Sequence, residues 1–131
     1  MHLLDTNICI YYFKSLYGID RKINAVGMDS CCISEVTVAE LKYGAAKSYA
    51  QAKSTKILND FLPLLQVVPI FPCLDIYARE KARLRKSGLI IDDFDLLIGA
   101  TAIANDLILV TNNEKHLSRL EGIRIENWTK E

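Results

Sequence analysis

The stretch DDFDLLIGATAIANDLILVTNN, residues 92–113, joins a helical pattern directly to a short apolar run. Its first part opens with acidic residues and continues with small and apolar side chains on nearly every face, which predicts a helix packed closely against a sheet. The run LILVT that follows is typical of a buried strand. A buried helix that leads into a buried strand favours an α/β domain with a mostly parallel central sheet.

The rest of the chain repeats this alternation. Four further apolar runs predict strands, namely HLL, CCIS, QVVPI and IRIENW. Helical patterns separate them, namely TNICIYYFK, GIDRKINAVG, EVTVAELKYGAAKS after a Ser34 N-cap, QAKSTKILNDFLPLL, and the charged segment 74–86 that ends at Gly88. A chain of 131 residues is large enough to bury its own core and has the size of a single domain.

Composition narrows the class of protein. Lysine plus arginine (16) balance aspartate plus glutamate (16), so net charge gives no sign of nucleic-acid binding, although a nuclease needs only a local basic path. The four cysteines form no C-x-x-C pair and indicate reduced core thiols. Neither a signal peptide nor an apolar run of about 20 residues is present, so we expect a soluble, cytoplasmic protein without a membrane span.

Acidic residues occur at three places that a packed core would not choose. Asp5 follows the first predicted strand, at the edge of an open α/β sheet where ligands bind. Glu40 shares a helical stripe with Val36, Tyr43 and Gly44. The turn DDFD sets its first and last acids three residues apart, on one side of a helix. An N-cap, a salt bridge and a helix dipole are the respective structural alternatives.

Convergence of these acids at one edge of the sheet would require a cation. Carboxylates that lie close together repel one another, and a hard divalent metal between them keeps such a cluster ionised. No histidine or cysteine is within two residues of Asp5, Glu40 or Asp95 in the sequence. Oxygen-only ligands point to Mg²⁺, or Mn²⁺, rather than zinc. A metal held by few carboxylates retains waters that phosphoryl oxygens can replace.

Three segments, LLDTNICIYYFK, ISEVTVAELKYGA and DDFDLLIGATAIANDLILVTNN, occur in this order along the chain. Together they resemble the PIN domain, and specifically the VapC toxin ribonucleases of bacterial toxin–antitoxin pairs. The resemblance spans almost the whole chain and rests on the ordered set rather than on any one motif. It implies that residues 1–131 are a single PIN domain, a three-layer sandwich whose mostly parallel sheet of four to five strands is flanked by helices.

The resemblance also implies an activity and its residues. The family consists of Mg²⁺-dependent endoribonucleases that leave 5′-phosphate ends, are usually dimeric, and are inhibited by a cognate antitoxin whose C-terminal segment covers the site. By the family pattern, Asp5, Glu40 and Asp95 match the acidic residues of the metal site, and Thr111 matches a supporting threonine or serine. Thr6 and Asn7 are interpreted as residues that turn the chain and hold the metal ligands in place.

The sequence departs from the family pattern after the LVT run. Many relatives have a fourth acid there, whereas this chain has Asn112 and Asn113, and it has His116 where relatives often have aspartate or glutamate. Asn113 either coordinates through its amide oxygen or closes a turn. A second metal position is therefore in doubt, and His116, if it reaches the site, would favour Mn²⁺. Asp92 is interpreted as an N-cap rather than a ligand.

Two surface features point to partners. The segment REKARLRKSG is interpreted mainly as a solvated helix face, but Arg85 and Lys86 near its end are the best candidates for RNA phosphate contacts. The first helix, NICIYYFK, has almost no polar face, so we expect a second subunit or an antitoxin segment to cover it, with a larger core as the alternative.

Other classes of function fit less well. A haloacid-dehalogenase-type phosphatase would need D-x-D after the first strand, where this chain has Asp5, Thr6 and Asn7. A receiver-like phospho-signalling module would need an aspartate at the end of the third strand, and QVVPIFP has none. A PIN protein that processes or only binds RNA, without a toxin role, remains the main alternative.

Overall fold

A computed structural model of the chain describes residues 1–130. The strands are β1 (His2–Leu4), β2 (Cys31–Ser34), β3 (Gln66–Val68), β4 (Ile108–Val110) and β5 (Arg124–Glu126). The α-helices are α1 (Thr6–Phe13), α2 (Ile19–Val26), α3 (Glu35–Ala46), α4 (Gln51–Phe61), α5 (Leu74–Lys86), α6 (Asp93–Ala104) and α7 (Glu114–Leu117).

The central sheet has the strand order β3-β2-β1-β4-β5, and every pairing in the described chain is parallel. The prediction of four to five mostly parallel strands is therefore confirmed, with five strands and no antiparallel pair among residues 1–130. The chain enters at β1 in the middle, builds β2 and β3 on one side, and then crosses to β4 and β5 on the other. This reversal between β1 and β4 is where α/β sheets open a crevice at the carboxyl ends of their strands.

Alternating side chains of β1 divide the core into two layers. Leu3 packs into the cluster formed with α5 and α6, whereas Leu4 packs into the cluster formed with α1, α2 and α4. Helices thus cover both faces of the sheet, which confirms the three-layer sandwich. Gly99 of α6 allows a close approach, because a Cβ there would lie 2.3 Å from Cδ1 of Leu120.

Packing within its own chain covers part of the first helix, so the larger-core alternative holds for its buried positions, while Ile10 and Tyr11 are only partly buried. Ile8 and Cys9 are fully buried. The ring of Phe13 meets that of Phe61 at 4.9 Å in an edge-to-face arrangement, and the ring of Tyr12 lies 5.5 Å from the same residue. Helix α4 therefore supplies a long-range contact that the sequence pattern did not reveal.

Two element boundaries and one additional short helix differ from the sequence prediction. Helix α4 ends at Phe61, and a single 3₁₀ turn containing Pro63 leads towards β3. Strand β3 ends at Val68, because Pro69 has no N–H to continue the ladder. Helix α7 was not predicted, since four residues are too few to show a helical period.

Two expectations about the whole chain concern its thiols and its membrane topology. The four cysteines are free and buried. Among residues 1–130, none of the helices combines the length and apolar character that a membrane span requires.

Candidate active site

The candidate site lies at the carboxyl edge of the sheet, where β1 and β4 are neighbours. The backbone N–H of Asp5, just beyond β1, donates to the carbonyl of Val110 at 2.9 Å, and Thr111 follows at once. A cavity of about 620 Å³ opens at this edge. Its walls include all three predicted carboxylates and both residues that follow the first, namely Asp5, Thr6, Asn7, Glu40 and Asp95.

Asp5 uses each of its carboxylate oxygens differently. Oδ1 accepts from the backbone N–H of Thr6 at 2.7 Å and so caps α1. Oδ2 accepts from the hydroxyl of Thr111 at 2.7 Å. Burial raises the pKa of Asp5, and these two hydrogen bonds oppose that rise. The N-cap alternative is therefore correct, and it leaves the carboxylate within the cavity wall.

Glu40 is held by a hydroxyl group of α1 rather than by a lysine or an arginine. The hydroxyl of Thr6 donates to its Oε1 at 2.6 Å and lies 3.1 Å from the hydroxyl of buried Thr37. No salt bridge involves Glu40 in the part of the chain that the structure describes. The predicted apolar stripe is only partly correct, because Val36 is buried while Tyr43 is 65% exposed. The second half of α3 lines the cavity with this side.

The acidic turn at the start of α6 separates into different roles. Asp92 is exposed and caps the helix by accepting from the N–H of Phe94 at 3.1 Å. Asp93 pairs with Lys81 at 2.8 Å and does not line the cavity. Asp95 is half-buried, and its pKa is raised to about 6, first by burial and then by the negative charges of Asp5, Asp92 and Glu40.

A chain of hydrogen bonds runs from the end of β4 to Asp95. The backbone N–H of Asn113 donates to the Thr111 hydroxyl at 3.0 Å, and its side-chain amide donates to Oδ2 of Asp95 at 3.3 Å. His116, which is exposed, has its Nδ1 2.8 Å from Oδ1 of Asn113. Asn113 thus connects Asp95 with the β4 end, while His116 contacts Asn113 and does not line the cavity.

The predicted basic residues lie outside this cavity. Arg85 and Lys86 are exposed at the end of α5, and Arg85 lines a separate, smaller cavity of about 200 Å³ beside Asp92 and Asp93. Lys47 is the cation that lines the carboxylate cavity. Three lining residues were not predicted as part of the site, namely Tyr43, Lys47 and Phe94. Tyr43 and Lys47 nevertheless follow Glu40 at helical spacing.

The donor set suits a hard cation. Within residues 1–130, no three acidic, histidine or cysteine side chains are close enough to form a ready-made metal site. Repulsion from the neighbouring carboxylates contributes to the raised pKa of Asp95. The carboxylates face one cavity and offer only oxygen atoms, which are the ligands that Mg²⁺ and Mn²⁺ take. The residues therefore fit a divalent metal of that kind.

Comparisons with known proteins give a matching family model, similar sequences and similar folds. The PIN domain family model matches residues 2–123. "Ribonuclease VapC2" of Haemophilus influenzae is 38% identical over 97% of both chains, and "tRNA(fMet)-specific endonuclease VapC" of Salmonella typhimurium is 33% identical over 96% of both. Among solved structures, VapBC2 from Rickettsia felis bound to a promoter DNA fragment contains a chain with TM-score 0.89 and 33% identity, over 97% of this chain and 98% of that one.

Proposed function

Since this chain belongs to the PIN domain family and is a VapC-type ribonuclease, we propose that it is a Mg²⁺-dependent endoribonuclease acting as the toxin of a toxin–antitoxin pair. The observation that carries the proposal is the set of three carboxylates, Asp5, Glu40 and Asp95, around one cavity at the β1–β4 edge. Residues 1–131 form one PIN domain, which acts on RNA in the cytoplasm.

The same three carboxylates would hold the metal, with Mn²⁺ as a substitute for Mg²⁺. Bound there, the ion supplies positive charge for the scissile phosphate and for the attacking water. Thr111 orients Asp5, and Thr6 orients Glu40, through the hydrogen bonds described above. Asn7, at the cavity wall, and Asn113 are proposed as further supports.

Two of the carboxylates also have separate roles, one in binding the metal and one in positioning or deprotonating water. The pKa of about 6 leaves Asp95 mainly ionised at neutral pH, so it is available as a ligand. Glu40 is oriented by a single short bond to one oxygen, and its other oxygen can position or deprotonate water. Attack by water in line with the ribose 3′-oxygen leaves 5′-phosphate and 3′-hydroxyl ends. Arg85 and Lys86 are proposed to contact RNA phosphates beyond the cavity.

A protein antitoxin is the proposed partner. The similar structures from Rickettsia felis and Salmonella typhimurium are VapBC complexes. In this chain an apolar groove of about 610 Å³, with Phe13, Tyr49 and Ile57 in its walls, shares Glu40 and Lys47 with the carboxylate cavity. A segment bound along this groove would end at Glu40 and block the site, which supports inhibition by a VapB-like protein.

A homodimer is the second proposed assembly. Phe71 is 82% exposed in the turn before α5, and Ile90 is 72% exposed before α6. The turn that contains Phe71 packs against α6, the helix that follows Ile90 in the chain. Exposed apolar residues of this size favour an intersubunit contact.

Purified protein incubated with total RNA tests the activity. We expect cleavage with Mg²⁺, none with chelator, and 5′-phosphate ends on sequencing. Asp5→Asn and Asp95→Asn should each abolish cleavage and remain folded by circular dichroism. Asp20→Asn, the same change at an exposed acid of α2, is the matched control and should cut normally. Cleavage in chelator, or full activity of both site variants, would refute the metal-nuclease mechanism.

A PIN protein that processes or only binds RNA without being toxic is the remaining alternative. The receiver-like alternative is wrong, because the chain belongs to the PIN family and β3 ends in Val68 and Pro69 without an aspartate. Induced expression in a bacterial host separates the toxin from the processing enzyme. Arrest of growth that co-expression of a small upstream-encoded protein relieves supports the toxin, and undisturbed growth with active enzyme supports RNA processing.

A further inference from the structure

We propose that Tyr43 and Phe94 are stacking surfaces for unpaired nucleobases on either side of the phosphate that is cleaved. This inference rests on the proposed RNA hydrolysis and adds how the substrate is held.

Each aromatic residue is adjacent to one carboxylate of the site. Tyr43 lies on α3 nearly one turn after Glu40, and Phe94 directly precedes Asp95 in the first turn of α6. Both side chains line the same cavity as Asp5. The two rings come from different helices, α3 and α6, so a strand of RNA that enters the cavity can contact both.

Both rings are open to solvent although they are large and apolar. Tyr43 is 65% exposed and Phe94 is 48% exposed. In the described part of the chain, neither belongs to either of the two core clusters. Packing within this chain therefore does not account for them, whereas a ligand that covers the cavity would remove their apolar surface from water.

A cation accompanies one of the rings. The Nζ atom of Lys47 lies 5.0 Å from the centre of the Tyr43 ring and lines the same cavity. A base stacked on Tyr43 would have its phosphate within the reach of this flexible ammonium group. An aromatic face beside a lysine matches the two parts of a nucleotide, the base and its phosphate.

Electrostatics explains why the site needs uncharged contacts. The carboxylates repel an RNA phosphate, and the chain has no net charge to attract one from a distance. Stacking is independent of charge and of base identity, and it contributes about 1–3 kcal/mol per base in single-strand binding proteins. Bases inside a duplex are already stacked on each other, so only loops, bulges and single strands can use these rings.

Kinetics on a defined RNA test the proposal. The probe is a 12-nucleotide single-stranded RNA centred on a bond that the wild-type protein cuts in total RNA, compared with the same RNA carrying an abasic residue on either side of that bond. We expect Tyr43→Ala and Phe94→Ala each to lower kcat/KM by about 10- to 100-fold, mainly through KM. Tyr43→Phe and Phe94→Tyr should keep most activity, because they retain a ring.

Abasic substrates separate stacking from general damage to the site. The RNA that lacks the base facing Tyr43 should be cut poorly by wild-type protein, and Tyr43→Ala should cut it no worse than wild type does. Tyr17→Ala removes a tyrosine that is 59% exposed and does not line the carboxylate cavity, so this variant should cut all the RNAs like wild type. Thermal melting and sedimentation of each variant are measured in parallel.

The outcomes distinguish the two proposals. A wild-type protein that cuts no RNA overturns the proposed function and with it this inference. A wild-type protein that cuts, with alanine variants as active as wild type or with equal losses on normal and abasic RNA, overturns stacking and leaves the nuclease intact. Activity loss that coincides with a changed sedimentation coefficient would assign the rings to a subunit contact instead.

Discussion

The hydroxyl of Thr111 donates to Oδ2 of Asp5 at 2.7 Å and joins the carboxyl ends of two neighbouring strands. The same hydroxyl accepts from the backbone N–H of Asn113 at 3.0 Å. One fully buried side chain therefore orients a carboxylate of the cavity and holds the loop that leads to α7.

Thr111→Val should lower activity and metal affinity without unfolding the protein. Valine has nearly the same shape but leaves Asp5 with one fewer hydrogen-bond donor, so its carboxylate loses orientation. We expect a loss of about 10- to 100-fold in Mn²⁺ affinity and in kcat, as is usual for groups that orient metal ligands. Titration of Mn²⁺ by electron paramagnetic resonance measures the affinity. Thr111→Ser keeps the hydroxyl and should restore most of it, and an equal loss in both variants would contradict this role.

The raised pKa of Asp95 predicts how stability of the chelator-treated protein depends on pH. The pKa is about 6 in the folded protein against an ordinary value of 3.8, so the folded state binds the proton more tightly. The contribution of Asp95 to stability is fully present below about pH 4 and is lost as pH rises through about 6. Asp95→Asn should therefore be more stable than wild type at neutral pH, by about 1–2 kcal/mol after solvent screening.

Urea denaturation in chelator at several pH values measures this difference. The stability gain of Asp95→Asn should disappear below about pH 3, where wild-type Asp95 is protonated in both the folded and the unfolded state. Added Mg²⁺ should reverse the order at neutral pH, because only the wild-type carboxylate neutralises the ion. A pH-independent difference between the two proteins would show that charge at Asp95 is not its cause.

Substitution of Glu80, which does not line the cavity, should change the stability of the protein and not its cleavage activity. Its carboxylate is 1% exposed, accepts two bonds from Arg83 at 2.9 Å, and accepts from the backbone N–H of Glu121 at 2.7 Å. These bonds lower the pKa of Glu80, so its contribution is present above the ordinary value of 4.5 and is lost as pH falls. Glu80→Gln should cost about 2–4 kcal/mol at neutral pH.

The matched control is Asp60→Asn, which breaks an exposed pair with Lys56 at 2.9 Å. We expect no measurable change in denaturation midpoint for that variant, because solvent screens the exposed pair. Folded Glu80→Gln protein should cleave RNA at the wild-type rate. A Glu80→Gln variant as stable as the control would show that the buried carboxylate is dispensable.

Local signals predicted much of this fold. Helix α5 has the predicted bounds, because a charged helical pattern ends where Gly88 breaks it, and α3 begins after the predicted Ser34 cap. The common edge of Asp5 and Asp95 was also predictable, since one follows a central strand and the other opens a helix that returns to the sheet. Such short-range rules concern neighbours in the chain.

The remaining features depend on long-range packing. Periodicity groups Glu40 with Tyr43 on one side of α3, but it cannot tell a buried stripe from one that borders a cavity, and Tyr43 is exposed. The cover of α1 comes from Phe61, which lies far along the chain. The hydrogen bonds of Asn113 to Asp95 and His116 depend on α7, whose single turn has no sequence period.

The homodimer predicts a contact that single substitutions can break. Wild-type protein should sediment as a dimer at micromolar concentration, because Phe71 and Ile90 each expose large apolar surface. Phe71→Asp and Ile90→Asp should shift it to monomer, since each would bury an unpaired charge in the contact. Tyr49→Asp, at a fully exposed aromatic residue between α3 and α4, should remain dimeric. A wild-type monomer at that concentration would refute the dimer.

Asn113→Asp should restore the acid that many relatives have after this strand. The amide of Asn113 donates to Oδ2 of Asp95 at 3.3 Å, so an aspartate there replaces a hydrogen bond with a contact between like charges. We expect lower stability in chelator at neutral pH and, because a divalent cation relieves the repulsion, about tenfold tighter Mn²⁺ binding. Within residues 1–130, the His116 ring is hydrogen-bonded to Oδ1 of Asn113 and not to Asp95. His116→Asp should therefore strengthen metal binding much less.

Calorimetric titration of Mn²⁺ and Mg²⁺ into wild type and both variants, without RNA, measures these effects. Wild type should show at most one well-occupied site, since Asp5, Glu40 and Asp95 supply too few anionic oxygens for two ions. A second site should become detectable in Asn113→Asp, with higher cleavage at limiting Mg²⁺. Two equivalent sites in wild type, or unchanged affinity in Asn113→Asp, would show that the missing acid does not limit metal binding, and that Asn113 acts only through its hydrogen bond to Asp95.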